Sequence, residues 1–433
     1  MIKSLDLELK DISKIEGHTD MKIVAKNGYV TECKLEIKED KRFFTDALIG
    51  KRYDEIPNLM GRVCGTCSSA HVLASIEAVE KAFGVKVTRQ TRRLRNLLIN
   101  ASHLRDHAMH LWFFILPDLF GVDSVLDFNK SKYKLLQDGL DVKEAGNYLA
   151  TIIGGRAVHP PAGVIGGFTK FATREEVEDA MKKLGRCRPK ILNMIKLLVK
   201  KRAGNVFERE GVYYAGLTNK DYNFLEGTIK TSRGDKILEE DFGRHLSRVI
   251  LPYSTATAFQ FDSEEFFSGA LARMNLNKDA LNENTKRSLG GKYFDMFPSH
   301  NIFDNNLAQA IECLHIIDSS LSMLGISMDK EKLAPVKHRK SVGVGVLEAP
   351  RGTLYYRLDF NSKGVVEFAD LCIPTQQNII SMERTISKYV EMLMKKGHGK
   401  IKIVSEIEKM IRAYDPCMSC AAHFLKINWH GLD

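Results

Sequence analysis

No stretch of eighteen apolar residues occurs in this 433-residue sequence. Its start, Met1-Ile2-Lys3-Ser4-Leu5-Asp6, has neither an apolar signal core nor a twin-arginine pair, so the expectation is a cytoplasmic protein with no direct membrane span. Internal repeats and low-complexity tracts are also missing. The glycine-rich piece from Gly154-Gly155-Arg156 to Gly166-Gly167-Phe168 lacks the GxGxxG spacing and a preceding strand. It therefore reads as a connection threading between helices, not a nucleotide cradle. Although 64 Lys and Arg outnumber 54 Asp and Glu for a net charge of +10, no basic stretch is interleaved with aromatics. That argues against a nucleic acid partner and for a solvated surface or an acidic protein partner. Eight cysteines in a large chain without a signal do not make a disulfide framework. Cys33, Cys187, Cys313 and Cys372 stand alone and read as small buried hydrophobes.

The composition, 44% hydrophobic and 27% charged, can fill one large core, in a single intertwined unit or in two domains. The other four cysteines are paired. Arg62-Val63-Cys64-Gly65-Thr66-Cys67 is followed by His71, and Asp415-Pro416-Cys417-Met418-Ser419-Cys420 by His423. Two residues between cysteines let a tight turn aim both sulfurs at one metal, and four thiolates suit zinc, iron or nickel. A structural zinc clip is the plain reading. Against it, clips tie small, core-poor modules, whereas these pairs sit near opposite ends of a chain able to bury its own core. Each pair also carries a charged residue and a His for which a closed tetrahedral site has no use.

Periodicity places these motifs. Alternation from Leu5 to Glu39, with Asn27-Gly28 as a hairpin turn, predicts a small antiparallel sheet with Glu16 between its first two strands. A helix is expected over Ser68–Phe83, stopped by Gly84, which puts Cys67 at a helix N-terminus where the dipole favours its thiolate. A bundle helix is expected from Thr88 to Leu116, with Pro117 beyond it and His103, His107 and His110 in helix-to-helix hydrogen bonds. Further helices are predicted over Lys143–Ile153, Thr173–Arg202 with a Thr173/Glu176 capping box, Asn305–Leu324 and Gln376–Lys395. Residues 206–238 read as irregular β structure, and Ser341–Glu348, Thr353–Phe360 and Val365–Ile373 as a second alternating set. The expected fold class is α-dominated α+β. It comprises a β-rich part (1–60), a helical bundle (61–205), an irregular insertion (206–300) and a region of helices with a small sheet (301–423), all forming one unit.

Arg-x-Cys-Gly-x-Cys-x-x-x-His early and Asp-Pro-Cys-x-x-Cys-x-x-His late resemble the two signatures of the nickel-iron hydrogenase large subunit. Ile15-Glu16-Gly17-His18, Asn305-Asn306-Leu307-Ala308-Gln309-Ala310, Glu348-Ala349-Pro350-Arg351-Gly352 and Pro374-Thr375 resemble that family too, in the same order. The resemblance implies reversible cleavage of dihydrogen at a Ni-Fe centre with carbonyl and cyanide on the iron. Cys64 and Cys417 would be terminal on nickel, and Cys67 and Cys420 would bridge to iron. Splitting an apolar, very weakly acidic molecule needs an electrophilic metal and a nearby base, and Glu16, beside Cys417, is the proton-transfer candidate. Four thiolates, two cyanides and two divalent metals sum to a charge of about -2, which requires a buried cation. Arg351 is that cation by resemblance, with Asp106, Pro350 and Asp415 completing a canopy over the metals. Pro374 and Thr375 would lie near the diatomic ligands. His71 and His423 would orient sulfur or a peripheral metal.

The family's magnesium site is the open question. His423 and Leu371 are its candidate ligands, but Arg42-Phe43-Phe44 is followed by Thr45 where the family has an acid. Asp46, or after it Glu39, would have to substitute. Residues 424–433 correspond to a peptide that a maturation protease removes. With no ferredoxin-type motif left over, the iron-sulfur clusters belong to a partner small subunit. Further diaphorase-like or other carrier-linked subunits would serve NAD(P) or a deazaflavin. Two rival readings are a complex I-like quinone-module subunit, which lacks the four cysteines, and the zinc-stabilised structural protein.

Overall fold

The structure, a computed structural model, describes residues 4–40 and 43–422. Alternating burial builds the opening sheet from β1 (Ser4–Leu9), β2 (Thr19–Lys26) and β3 (Tyr29–Ile37), antiparallel in the order β1-β2-β3. Glu16 lies in the β1–β2 connection, as expected. Four long helices follow: α1 (Ser68–Phe83), α2 (Arg89–Met109), α3 (Tyr133–Gly154) and α4 (Arg174–Lys201). Gly84, left-handed at φ 67°, ends α1, and the Thr173/Glu176 capping box opens α4. The C-terminal part holds α5 (Ala270–Asn277), α6 (Asp304–Leu324), the sheet β4 (Ser341–Ala349), β5 (Gly352–Phe360) and β6 (Val366–Cys372), then α7 (Pro374–Lys395) and α8 (Lys400–Tyr414).

Three departures from the sequence reading have local causes. The helix expected to run to Leu116 is α-helical only to Met109. A π-turn spans His110–Ile115, and Pro117 stands not beyond the helix but in the first turn of a short one, Leu116–Phe120. Proline has no N–H to donate to the turn before it, and it stands where the π-turn passes directly into the short helix. Helix α8 was not foreseen, although Ile403, Ile407, Met410, Ile411 and Tyr414 are buried at helical spacing; its lysine-rich first turn hides that stripe. Finally, residues 206–300 contain α5 and a helix over Glu283–Phe294, and a small aromatic core joins Tyr213, Phe242, Phe259, Phe261 and Phe266 to Val346 and Tyr355.

The main core runs from Leu5 to Ala422. Helix α2 packs against α3, α6 and α1, and α1 lies across β4 and β5. Gly343 and Gly345 permit that close approach: a Cβ on either would fall 1.9 Å from Ala78 O or 2.2 Å from Ala74 O. Helix α7 packs on β3, whose edge N–H groups it caps with carboxylates. Leu35 N donates to Glu383 at 2.8 Å and Val30 N to Glu391 at 3.1 Å.

Burial raises the Glu383 carboxyl from 4.5 to about 7. A carboxyl that binds its proton more tightly when folded contributes stability below pH 4.5 that is lost as pH rises through 7. Thermal melts of Glu383→Gln should therefore vary less with pH across that window than those of the parent. The difference amounts to at most about 3 kcal/mol. Parallel curves for the two proteins would show that the group is not perturbed.

Candidate metal centre

Each cysteine pair is delivered by a helix end. Cys67 caps the N-terminus of α1, and Ser68 Oγ donates to Gly65 O at 3.3 Å, closing the first turn. The second pair follows α8, which stops where Asp415 adopts the left-handed conformation (φ 50°, ψ 58°) and Pro416 cannot continue the helix. The chain then runs parallel to the Glu16 segment, with Glu16 bridged to Cys417 and Met418 N donating to Glu16 O at 2.9 Å. Gly17, at φ 82°, is required here, because a Cβ would lie 2.8 Å from Met418 Cβ and from Ser419 N.

The four sulfurs of Cys64, Cys67, Cys417 and Cys420 lie within 4.8 Å of one another, all buried. Cys64 and Cys417 are 3.7 Å apart, Cys67 and Cys420 3.1 Å, Cys417 and Cys420 2.9 Å, and none forms a disulfide. Sulfurs that share one metal at about 2.3 Å sit roughly 3.3–3.8 Å apart, so this is the crowding that a common cation relieves. Without one the thiols push one another apart in acidity. Hydrogen bonds from their neighbours hold Cys64 and Cys67 low, while burial drives Cys417 and Cys420 well above the ordinary thiol range. Beside the Cys67–Cys420 pair is a small pocket, lined also by His71, Ala349, Arg351, Pro374 and Thr375. Soft donors on one wall, apolar carbon on another and a guanidinium at the rim suit a thiolate-bound metal pair with small uncharged and anionic ligands.

Around this core the predicted residues fall as follows. The Cys417 thiol donates to Glu16 Oε2 at 2.9 Å, and Ser419 N donates to the same oxygen at 3.2 Å. Burial, then the nearby charge of Cys64, raises the Glu16 carboxyl above its ordinary value against those two hydrogen bonds. Arg351 Nη1 donates to Asp106 Oδ2 at 2.7 Å and Nε to Asp415 Oδ1 at 3.2 Å, all three being buried. Burial pushes Asp106 upward, whereas the Arg351 guanidinium holds Asp415 below the usual range despite its burial. Among the described residues Asp106 Oδ1 has no hydrogen-bond partner. Thr375 Oγ1 accepts from Cys417 N at 2.9 Å, Pro374 opens α7, and Pro350 O accepts from Arg273. His71 Nδ1 lies 2.6 Å from the Tyr356 hydroxyl, and its Nε2 faces Cys420 Sγ at 3.9 Å.

Of the magnesium candidates, Leu371 is buried in β6 opposite Tyr356, where only its carbonyl has a donor atom, and Asp46 is exposed on a short helix, Phe44–Leu48. Glu39 Oε1 accepts from His18 N. His423 and the expected maturation peptide, 424–433, lie outside the described residues.

Several residues at the site carried no role in the sequence reading. Gln309 donates to Asp415 Oδ2 at 2.8 Å, and the π-turn aims His110 at Gln309 Oε1 (2.6 Å) and Arg412 O (2.8 Å). Helix-to-helix bonding holds for His110 and for His107, which meets Glu312 at 2.9 Å, but His103 bonds only Ile99 O of its own helix, at 3.0 Å. Buried Arg105 donates to Thr66 O and Ala157 O, pinning the first cysteine loop to the 154–167 connection. Arg273 is bound to Glu312 and Glu348. Nothing local marks an arginine as buried, since its partners come from distant segments. Gln309 and Glu348 at least stand inside the motifs noted above.

The family model described as nickel-dependent hydrogenase matches residues 42–138 and 243–423. Sulfhydrogenase 1 subunit alpha of Pyrococcus furiosus is 30% identical over 98% of this chain and 99% of its own length. Sulfhydrogenase 2 subunit alpha of the same organism is 29% identical over 97% and 100%. Among solved structures, an NAD+-reducing [NiFe]-hydrogenase in the H2-reduced state superposes with a TM-score of 0.86 at 23% identity, covering 97% of this chain and 99% of that one. The Ni-Fe-Se hydrogenase of D. vulgaris Hildenborough gives 0.78 at 19%, covering 97% and 100%, and both share the helical fold with small antiparallel sheets. With four thiols from opposite ends of the sequence gathered in one pocket, and relatives matching nearly end to end, the chain belongs to the nickel-dependent hydrogenases as a catalytic large subunit.

Proposed function

We propose that this subunit catalyses the reversible heterolytic cleavage of dihydrogen, with Cys64, Cys67, Cys417 and Cys420 as the residues that would hold a nickel-iron pair. One observation carries the assignment: the Cys417 sulfur is 2.9 Å from Glu16 Oε2, so a metal ligand and a carboxyl are already in contact. When bound, the nickel-iron pair supplies the electrophilic centre that polarises dihydrogen and takes up its electron pair. Glu16 receives the released proton at Oε2 and, being only partly buried, passes it outward. In the reverse direction the same oxygen delivers it. Arg351, fixed by Asp106 and Asp415, sets a guanidinium at the rim of the pocket to balance the anionic centre. Pro374, Thr375 and Ala349 line that pocket and limit the water that reaches it.

Electrons must leave through another chain. The four cysteines outside the centre form no cluster among the described residues. Gly65, between Cys64 and Cys67, is exposed, which supports docking of an iron-sulfur small subunit over the first cysteine loop. Carrier-linked subunits beyond it would connect to NAD(P) or a deazaflavin. Among the described residues no helix is long and apolar enough to cross a membrane, and all eight cysteines are free. Thiols persist in a reducing compartment, which supports a cytoplasmic enzyme. A magnesium ion held by the Leu371 carbonyl and His423 is proposed on the family resemblance, as is removal of residues 424–433.

The zinc-clip reading leaves Glu16 and the Arg351–Asp106–Asp415 cluster without a purpose, and the quinone-module reading leaves the four cysteines without one. Metal analysis and infrared spectroscopy of the complex purified with its partner subunits test the assignment. One nickel and one iron per chain, with carbonyl and cyanide absorptions, are expected. Zinc without nickel would reject it.

A further inference from the structure

Arg351 can face the metal pocket only if the Ala349-Pro350-Arg351-Gly352 turn is held, and the residue that holds it lies in a distant part of the sequence. Arg273 on α5 is 2% exposed, and every hydrogen bond it makes is to a buried partner. Its Nε and Nη2 grip both oxygens of Glu312 at 2.7 and 2.8 Å, and its Nη1 donates to Glu348 Oε2 at 2.8 Å. The same two terminal nitrogens donate to Ala349 O and Pro350 O, each at 3.1 Å, the two carbonyls immediately before Arg351.

Both carboxylates are fixed in turn. Glu348 Oε1 accepts from Leu217 N and from Thr353 Oγ1, each at 2.7 Å. Glu312 accepts the Tyr222 hydroxyl at 2.9 Å and contacts His107 Nε2 at 2.9 Å. His107 follows Asp106, whose Oδ2 receives Arg351 Nη1. The contacts thus close a ring: from the Arg351 side chain to Asp106, along α2 to His107, through Glu312 to Arg273, and through the Pro350 carbonyl back to Arg351.

We infer that Arg273 is a positioning residue for the reaction, anchoring the Arg351 turn from behind through the Ala349 and Pro350 carbonyls and, through Glu312 and His107, the helix that carries Asp106. This rests on the nickel-iron reading above. Only a planar fork satisfies two carboxylates and two carbonyls together, so Arg273→Lys would keep the charge and lose the geometry. A misplacement of the order of 1 Å at a reacting centre costs about a hundredfold in rate.

The test uses the assembled, metal-loaded enzyme carrying Arg273→Lys and, separately, Glu348→Gln, which keeps side-chain volume and removes the charge that orients Arg273. Nickel and iron content, the cyanide absorptions in the infrared, kcat and KM for dihydrogen are measured on each. Expected are full metal content, cyanide bands displaced in the same sense as in Arg351→Lys, kcat lower by about a hundredfold and KM unchanged within about twofold. Parent-like cyanide bands and kcat in either folded, loaded variant would overturn the inference, whatever its melting temperature. Where Arg273→Lys does not fold, Glu348→Gln decides by the same criteria. Cyanide bands missing from the parent enzyme itself would instead sink the nickel-iron reading, and this inference with it.

Discussion

In the Glu16→Gln enzyme, dihydrogen uptake with an artificial dye should fall by about 10²–10⁴-fold while nickel and iron stay bound. The substitution is nearly isosteric. An amide oxygen can still accept from Ser419 N, at 3.2 Å in the parent, so the Glu16 segment keeps its place against the second cysteine pair. What it loses is a titratable oxygen on the sulfur side of the site. The remaining polar groups that touch the four thiols among the residues described are Thr66, Thr375 through the Cys417 backbone, and His71. His71 already has its second nitrogen against the Tyr356 hydroxyl, so no neighbour replaces the carboxylate. Single-turnover spectra should show the centre still reacting with dihydrogen but failing to release the proton. Dye reduction at the parent rate would remove Glu16 from the mechanism.

Arg351→Lys should lower activity by three or more orders of magnitude with the metals intact. The guanidinium reaches Asp106 with one nitrogen and Asp415 with the others, a fork that a single ammonium cannot reproduce. One of the two carboxylates would then be buried without a partner, a penalty of about 3–5 kcal/mol that moves side chains or protons. Asp106 is the weaker holder of charge, being pushed upward by burial, with one oxygen bound only to Arg351 and the other unpartnered. It should protonate first. Rates within tenfold of the parent in a metal-loaded Lys variant would show that the canopy geometry is not needed.

The two predictions differ in how much of their basis was visible before folding. Glu16 was legible through the Ile15-Glu16-Gly17-His18 motif, since a glutamate on a turn between two strands would by itself read as a solvated charge. That turn proves to be where the chain passes Met418 and Ser419 so closely that a Cβ on Gly17 would clash. Arg351 was legible only through its motif. Its side chain is buried by Asp106 from α2 and Asp415 from the end of α8, and neither contact has a local signature. Arg273 had no signature at all, being one of many charged residues in a stretch read as irregular. The π-turn at His110 escaped for a related reason: its extra residue is stabilised by Gln309 and a carbonyl of α8, partners that arrive from the C-terminal third.

The sequence by itself determined the identities and spacing of the metal-binding thiols, the helix start that presents the first pair, and the family. Those are short-range properties, written as two-residue gaps, caps and repeating apolar positions. Only the tertiary structure decided that the two halves of the centre meet, which cations face it, and how the arginine above it is anchored. Each of those depends on charges that become partners only after burial removes water as their alternative, and burial belongs to the packed chain as a whole.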